Sequence, residues 1–352
     1  MPIRGRIVKG KYKVFHGLVN YGSQAGYLAR GLRNRGIEAI SVCYDDRFDR
    51  PSDISLKGQG GNRSIISTLK VLSQRLRWFK EYDIFHFYFG TSLLPHELDL
   101  PFYKLFGKKV VMEYLGNDVQ LYRYSIEKYK YTNQKYYHDK YQSLKSDRRK
   151  KLRLKLETPF LDKQLVCAPY LSEFAPNSVV FPLAIDLNEY DYSPMSVPED
   201  EIRIMHAPTH RGNKGTSFII EAIERLRNEG VKIQFTLIEN ISHSELKRKY
   251  KECDIFIDQV LGGWYGTASI EAMATGRPTV CFLREAYFEY IDYADSIPII
   301  NAGPDTLYDA LKATIHNKEI LPKLGEKSRK FVEEVHSLDK CTDKLVELYK
   351  RL

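Results

Sequence analysis

Apolar stretches of strand length alternate with amphipathic stretches of helix length along nearly the whole chain, and this alternation restricts the fold more than any single residue does. In the first half YKVFHG, EAISVCY, DIFHFYFG, KKVVMEYLG, KQLVCAPYL and NSVVFPLAI read as buried strands. In the second half EIRIMHAP, VKIQFTLIEN, DIFIDQV, RPTVCFL and SIPIINA do the same. Helical stretches separate them, among them SQAGYLARGLRNRG, whose final glycine suits a C-cap, and TSFIIEAIERLRNEG, which sets Ile219, Ile223 and Leu226 on one face. Strand, helix, strand in succession is the pattern of βαβ units, and it predicts α/β architecture with mostly parallel sheets.

A chain of 352 residues is long for one such domain and comfortable for two. The polar stretch AIDLNEYDYSPMSVPEDE, with its two prolines, separates the strand patterns of the halves. The domains are therefore expected at 1–190, 191–337 and a terminal helix at 338–352. In that helix Leu345, Leu348, Tyr349 and Leu352 form an apolar stripe that must be covered. Composition is that of a globular protein, with 43% hydrophobic and 28% charged residues. No apolar run approaches the roughly 20 residues of a membrane span, and the basic N-terminus lacks the apolar core of a secretory signal. Five scattered cysteines without a CxxC pair predict reduced thiols in a cytoplasm, with neither a disulfide framework nor a zinc site. KGQGGNRS near residue 60 lacks phosphate-loop spacing and reads as a linker.

In two facing α/β domains the chemistry belongs at the carboxyl ends of the strands. After the first strand of the second half comes HAPTHRGNKGT, which places Arg211 and Lys214 in a loop ahead of a helix, with Thr216 as the expected N-cap. A diphosphate would find there two cations and oriented N–H groups. After DIFIDQV comes GGWYGTASIEAMATGRP. Gly262, Gly263 and Gly266 let backbone approach a ligand, and a helix beginning near Thr267 offers a second anion-binding terminus. Glu271, one turn in and surrounded by small residues, could accept hydrogen bonds from ribose hydroxyls or only favour the helix dipole. In the first half, the loop of HGLVNYGSQAG brings Tyr21, Gly22 and Ser23 to the same crevice. His16 opens that loop, and His86, between aromatics in DIFHFYFG, reads as a core histidine. Asp118 in LGNDV either meets a ligand or caps the following helix.

KGT entering a helix, a strand ending in DQ, and then YGxxxxEAMAxGxP together resemble the retaining glycosyltransferases of family four. DIFHFYFG, FGKKVVMEYLGNDV and VVFPLAIDLNEY agree more loosely with that family's first domain. The resemblance implies the GT-B fold: two Rossmann-like domains facing across a cleft, with the terminal helix packing back on the first. It implies transfer of a sugar from a nucleotide diphosphate sugar with retention, with neither a resident cofactor nor a metal. Arg211 and Lys214 would neutralise the leaving diphosphate, Tyr265, Gly266 and Thr267 would contact the donor, Glu271 would hold the ribose, and Asp118 would face the sugar or acceptor. The sequence departs from the family at Gly263, where a glutamate is usual, and at Leu115, where a histidine is common.

The excess positive charge is local. Between Leu121 and Lys155 stand twelve Lys and Arg against three Asp and Glu, a net of +9 equal to that of the whole chain. The segment 121–157 contains neither proline nor internal glycine and predicts one helix, with Ile126, Tyr129, Tyr137, Tyr141, Leu144, Leu152 and Leu156 along its apolar side. Tyrosines among cations suit an anionic membrane surface. No nucleic-acid motif accompanies them. The expectation is a cytoplasmic enzyme, peripheral on the inner face of the membrane, that extends a glycan or lipid-linked acceptor in polysaccharide biosynthesis. Two rivals share the fold class, a sugar-nucleotide epimerase and a catalytically impaired nucleotide-sugar-binding protein.

Overall fold

The computed structural model of the chain describes residues 12–44, 52–56, 65–136 and 142–352. The KGQGGNRS stretch, Tyr137 and Tyr141 lie outside the described residues. The first sheet holds β1 (Val14–Leu18), β2 (Ala39–Cys43), β3 (Ile54–Ser55), β4 (Ile84–Tyr88), β5 (Lys109–Tyr114), β6 (Lys163–Val166) and β7 (Ser178–Val180) in the order β3-β2-β1-β4-β5-β6-β7. The second holds β8 (Ile202–His206), β9 (Ile233–Leu237), β10 (Ile255–Ile257), β11 (Thr279–Cys281) and β12 (Ile300–Asn301) in the order β12-β11-β10-β8-β9. Every pairing is parallel. Each predicted strand stretch contains an observed strand. The two-residue β3 at an edge was not predicted, being too short to show a period.

Helices fill the crossovers: α1 (Gln24–Asn34), α2 (Ile65–Glu81), α3 (Leu100–Leu105), α4 (Tyr122–Lys128), α5 (Asn133–Tyr136), α6 (Leu144–Glu157), α7 (Arg211–Lys214), α8 (Thr216–Asn228), α9 (His243–Lys249), α10 (Thr267–Ala274), α11 (Leu307–His316), α12 (Leu321–Phe331) and α13 (Leu338–Tyr349). Gly36 follows α1 with φ +74° and donates to the Arg33 carbonyl, as a C-terminal glycine should. Ile219, Ile223 and Leu226 of α8 are buried against the second sheet.

The predicted single helix over 121–157 is broken into α4, α5 and α6, and its apolar face is inverted. Leu144, Leu152 and Leu156 are exposed, while Asp147, Lys150 and Glu157 are buried. Each inward group meets a polar partner left by the fold. The Asp147 carboxylate accepts the N–H groups of Tyr122 and Arg123 at 2.7 and 2.9 Å, holding the start of α4. Lys150 Nζ donates to the Gln120 carbonyl at 2.6 Å, and Glu157 accepts the Tyr114 hydroxyl at 2.6 Å. Periodicity alone could not show this, because it does not reveal which unsatisfied groups the neighbouring loop presents.

The chain crosses between the sheets twice at one place. After β7, Ile185 pairs with Ser337, through Ile185 N–H to the His336 carbonyl and Leu338 N–H to the Ile185 carbonyl, both 2.8 Å. α13 then lies on α1 in the first domain, where Leu338, Cys341, Leu345 and Tyr349 join a core cluster with Leu28, Leu32 and Val14. That is the cover its apolar stripe required. A buried polar network fastens it. Tyr349 Oη lies 2.8 Å from His86 Nδ1, and His86 Nε2 lies 3.2 Å from Glu113 Oε2, both side chains fully buried. His16 lies inside β1 rather than opening a loop, and its Nδ1 meets the Tyr88 hydroxyl at 2.7 Å.

Burial pushes the Glu113 carboxyl up to about 8 and the His86 imidazole down to about 3, so the pair is neutral at pH 7. A carboxyl raised in the folded state contributes stability that is fully present below its ordinary value of 4.5 and lost as the pH rises through about 8. His86, depressed from 6.5, contributes in the opposite sense, lost as the pH falls. Subtracting a Glu113→Gln variant from the wild type isolates the first effect. The wild-type unfolding free energy from urea titration should fall relative to the variant between pH 5 and 8, by up to roughly 1.4 kcal/mol per pH unit. Parallel curves would show that Glu113 is ionised in the fold.

Candidate functional site

In the second sheet the chain passes from β8 to β9 on one side and then crosses to β10 on the other side of β8, so the crevice between the β8 and β10 loops is the topological switch point. His206 ends β8 with its imidazole buried. Nδ1 donates to the Ile257 carbonyl at 2.8 Å and Nε2 accepts the Thr216 hydroxyl at 2.9 Å; burial pushes it down to about 4. The Thr216 hydroxyl is thereby used, and the N-cap of α8 is Gly215, at φ +77°, instead of Thr216. Arg211 and Lys214 form the one-turn α7 rather than an open loop.

Both cations are paired. Arg211, exposed, meets Glu239 at 2.5 Å, and that carboxyl is held low by the guanidinium. Lys214 reaches inward to Asp258 Oδ1 at 2.5 Å. Asp258 immediately follows β10, and its Oδ2 accepts the Ser269 hydroxyl at 2.7 Å and the Gly266 N–H at 3.3 Å. Burial raises this carboxyl, but Lys214, Ser269 and the Gly266 N–H together outweigh it and hold it below the usual range. Lys214 is thus anchored at the N-terminus of α10, beside the half-buried Gly266 and Thr267.

Glu271 lies one turn into α10 and is buried. Its Oε1 meets His243 Nε2 at 2.9 Å and its Oε2 accepts the Tyr250 hydroxyl at 3.0 Å. It is therefore surrounded by larger side chains than its sequence neighbours suggested, contributed by α9 and the turn after it. Tyr265 is buried in the core. Its ring stacks on Trp264 at 4.7 Å, and its hydroxyl bonds His336 Nε2 at 2.9 Å beside the double crossing. At Gly263, φ is +84° and a Cβ would collide with the Arg284 guanidinium. Arg284 Nη1 donates to the Gly262 carbonyl at 2.5 Å and Nη2 to the Tyr131 carbonyl at 3.1 Å, with the guanidinium 4.0 Å from the Tyr129 ring centre. A cation fills the space at the position where the family pattern has a glutamate.

From the first domain, the loop after β1 faces α10. Gly22 (φ +59°) has its Cβ direction 2.7 Å from Thr267 Cγ2, so any side chain there would push the loops apart. Ser23, buried, begins α1 without a capping side-chain bond. Asp118 turns back on its own loop, accepting the N–H groups of Leu115 and Gly116 at 3.1 and 2.8 Å, and it does not cap α4. Burial raises it to about 6 against the pull of Arg153 and these N–H groups. The structure therefore gathers Arg211, Lys214, Gly266, Thr267, Glu271 and Gly22 around one crevice, while Asp118 is bonded to its own loop and Tyr265 to His336.

The segment after α4 completes the crevice. Gln134 donates to Asn117 at 2.8 Å, Asn133 donates to Asn213 at 2.8 Å, and Tyr131 and Tyr136 pack their rings on Phe218. The residues that sequence reasoning missed are Asp258, His243, Tyr250 and Arg284. A carboxylate directly after one buried strand and a guanidinium three residues after another were the available signals for Asp258 and Arg284. Among the described residues no group of three or more His, Cys, Asp and Glu side chains could hold a metal ion.

The chain matches no known family and no curated protein sequence. Among solved structures it is similar to sucrose-phosphate synthase from Thermosynechococcus elongatus, with a TM-score of 0.67, 14% identity, and 97% of this chain and 98% of that one covered. It is also similar to Anabaena HepE in complex with UDP-glucose (TM-score 0.59, 11% identity, 96% and 99% covered). A third similar structure is a putative UDP-N-acetylglucosamine 2-epimerase from Listeria monocytogenes (TM-score 0.56, 15% identity, 97% and 96% covered). The likeness is one of fold, and the fold is GT-B: two parallel-sheet α/β domains with their strand ends turned to a common crevice.

The Arg284 geometry makes a direct prediction. Gly263→Glu should lower the thermal midpoint by at least about 4 °C, since it combines a strained φ with displacement of a buried guanidinium. An unchanged midpoint would mean that Arg284 moves aside freely.

Proposed function

We propose that the protein is a retaining, metal-independent glycosyltransferase of the family-four type, moving a hexose from a nucleotide diphosphate sugar to a glycan or lipid-linked acceptor. The observation that carries this reading is the convergence at the switch point of Lys214, Arg211 and the N-terminus of α10, with Glu271 one turn below. Cleaving the donor's glycosidic bond leaves negative charge on the diphosphate, and cations held where that charge grows lower the barrier. Asp258 keeps Lys214 extended across the helix terminus before the donor arrives, and its own bonds to Ser269 and Gly266 anchor it there. Glu271, one turn into α10 and oriented by His243 and Tyr250, would accept ribose hydroxyls. In front-face retention the leaving phosphate takes the acceptor's proton, so no protein base is required where Gly263 stands. The Anabaena structure holds UDP-glucose, and we take uridine diphosphate sugars as the first donors to test.

The membrane part of the proposal rests on the inverted α6. Leu144, Leu152 and Leu156 lie among Lys145, Arg148, Arg149, Lys151 and Lys155, all exposed. α3 abuts the end of α6, with Lys104 Nζ donating to the Pro159 carbonyl at 3.0 Å, and it adds exposed Phe102, Leu105 and Phe106. Exposed apolar groups ringed by cations fit an anionic bilayer, where each Lys or Arg near the surface contributes roughly 1 kcal/mol. No helix among the described residues is long and apolar enough to cross a membrane.

Lys214→Gln and Arg211→Gln should each lower turnover of the preferred donor by at least about tenfold. Glu271→Gln should weaken UDP binding in calorimetry while leaving the fold intact. Wild-type rates for both cation variants would overturn the assignment, and turnover of nucleotide sugar without any acceptor would identify an epimerase.

Exchanging Lys145, Arg148, Arg149, Lys151 and Lys155 for glutamine should abolish co-sedimentation with phosphatidylglycerol vesicles. Lys150 is left in place, since it is buried on Gln120. Wild-type binding should weaken with added salt. Equal binding to neutral vesicles would count against the surface.

A further inference from the structure

At the carboxyl ends of β11 and β12 lies a cavity of about 820 Å³, walled by both domains, that the donor reading does not use. From the first domain come Lys128–Tyr131 and Glu173, and from the second the loops after β11 and β12. Its walls combine ring faces with polar groups in matched pairs. Lys128 is ion-paired with Glu173, which also accepts the Tyr129 hydroxyl at 2.9 Å, and Tyr129 meets the Tyr287 hydroxyl at 2.7 Å. At the rim Lys130 pairs with Asp305 at 2.5 Å, and Asn301 donates to Glu285 at 2.7 Å. Tyr290, 51% exposed, presents an open ring 6.3 Å from that of Tyr287.

We propose that this cavity is a saccharide subsite that seats an uncharged pyranose unit of the acceptor, a proposal that rests on the glycosyl-transfer reading above. A sugar ring offers an apolar C–H face and a rim of hydroxyls that both donate and accept. The Tyr290 ring can stack on the face, and the Lys–Glu and Asn–Glu pairs can meet neighbouring hydroxyls with a donor and an acceptor side by side. The lysines already face carboxylates and the wall carries Glu285 and Glu289 besides, which leaves no excess positive charge to select a phosphate or a uronate. Arg284, the remaining cation, is spent on the Gly262 and Tyr131 carbonyls and the Tyr129 ring. That side chain also sets the distance to the chemistry. One face belongs to the cavity wall and its Nη1 holds the glycine loop preceding α10, so the seated saccharide is one side chain from the crevice where the donor would lie.

The test is saturation-transfer NMR on the full chain with methyl β-glucopyranoside, methyl β-galactopyranoside, glucuronic acid and inorganic phosphate, each with and without UDP. A neutral methyl glycoside should bind, glucuronate and phosphate should bind no better, and UDP should not displace the glycoside. Tyr290→Ala should weaken that binding about tenfold, Tyr290→Phe should retain it, and UDP affinity should be unchanged in both. Tyr290 is exposed enough for both variants to fold, which circular dichroism would verify. Displacement by UDP, preference for the anions, absence of glycoside binding, or indifference to Tyr290→Ala would each overturn the proposal. If glycosides bind through Tyr290 but no nucleotide or nucleotide sugar binds, the subsite stands and the transferase reading falls.

Discussion

The arrangement depends on the chain passing between the two sheets twice at one place. Ile185 on the outward pass and His336–Leu338 on the return hold each other by two backbone hydrogen bonds, as neighbouring strands would. His336 adds its imidazole to the join, donating from Nδ1 to the Leu183 carbonyl at 2.8 Å and accepting the Tyr265 hydroxyl. Two crossings at one point limit how the domains can turn about each other, and the permitted arrangement sets their strand ends face to face. α13 then commits the second domain's last segment to the first domain's core, where Tyr349 joins the His16–His86 network. Separating the domains would expose that network as well as the apolar stripe.

Within the crevice, charge is held in reserve rather than left open. Arg211 and Lys214 both have carboxylate partners, one at the surface and one buried. The buried pair fixes Lys214 in direction, because Asp258 is itself held by Ser269 and a helix-terminal N–H. The exposed Arg211–Glu239 pair is the weaker constraint, since water and salt screen it. A ligand diphosphate would thus meet one rigid and one adjustable cation.

The same rule, that buried polar groups follow available partners, explains the departures from the sequence pattern. α6 turns Leu144, Leu152 and Leu156 outward because Gln120, Tyr114 and the start of α4 present polar groups that Lys150, Glu157 and Asp147 satisfy. Arg284 enters the space above Gly263 because carbonyls of Gly262 and Tyr131 and the face of Tyr129 converge there. In both places local amphipathicity gives way to long-range satisfaction of backbone groups.

Strand positions, the helices α1 and α8 and the crevice loops were legible in the sequence, because buried parallel strands are short apolar runs and their crossovers show a 3.6-residue period, whereas the division of 121–157 into three helices was not. The placement of Arg211, Lys214, Gly266, Thr267 and Gly22 beyond strand ends was legible for the same reason, since it follows from topology, although Arg211 and Lys214 form the one-turn α7 and Thr267 opens α10. What the sequence could not show was which side chains would already be engaged. Tyr265 bonding His336, His243 and Tyr250 closing on Glu271, and the inversion of α6 all join residues from separate elements. A hydrogen bond between groups many residues apart leaves no local period. Only the tertiary structure, by bringing those groups to within 3 Å or so of each other, decides which are free to act and which hold the fold together.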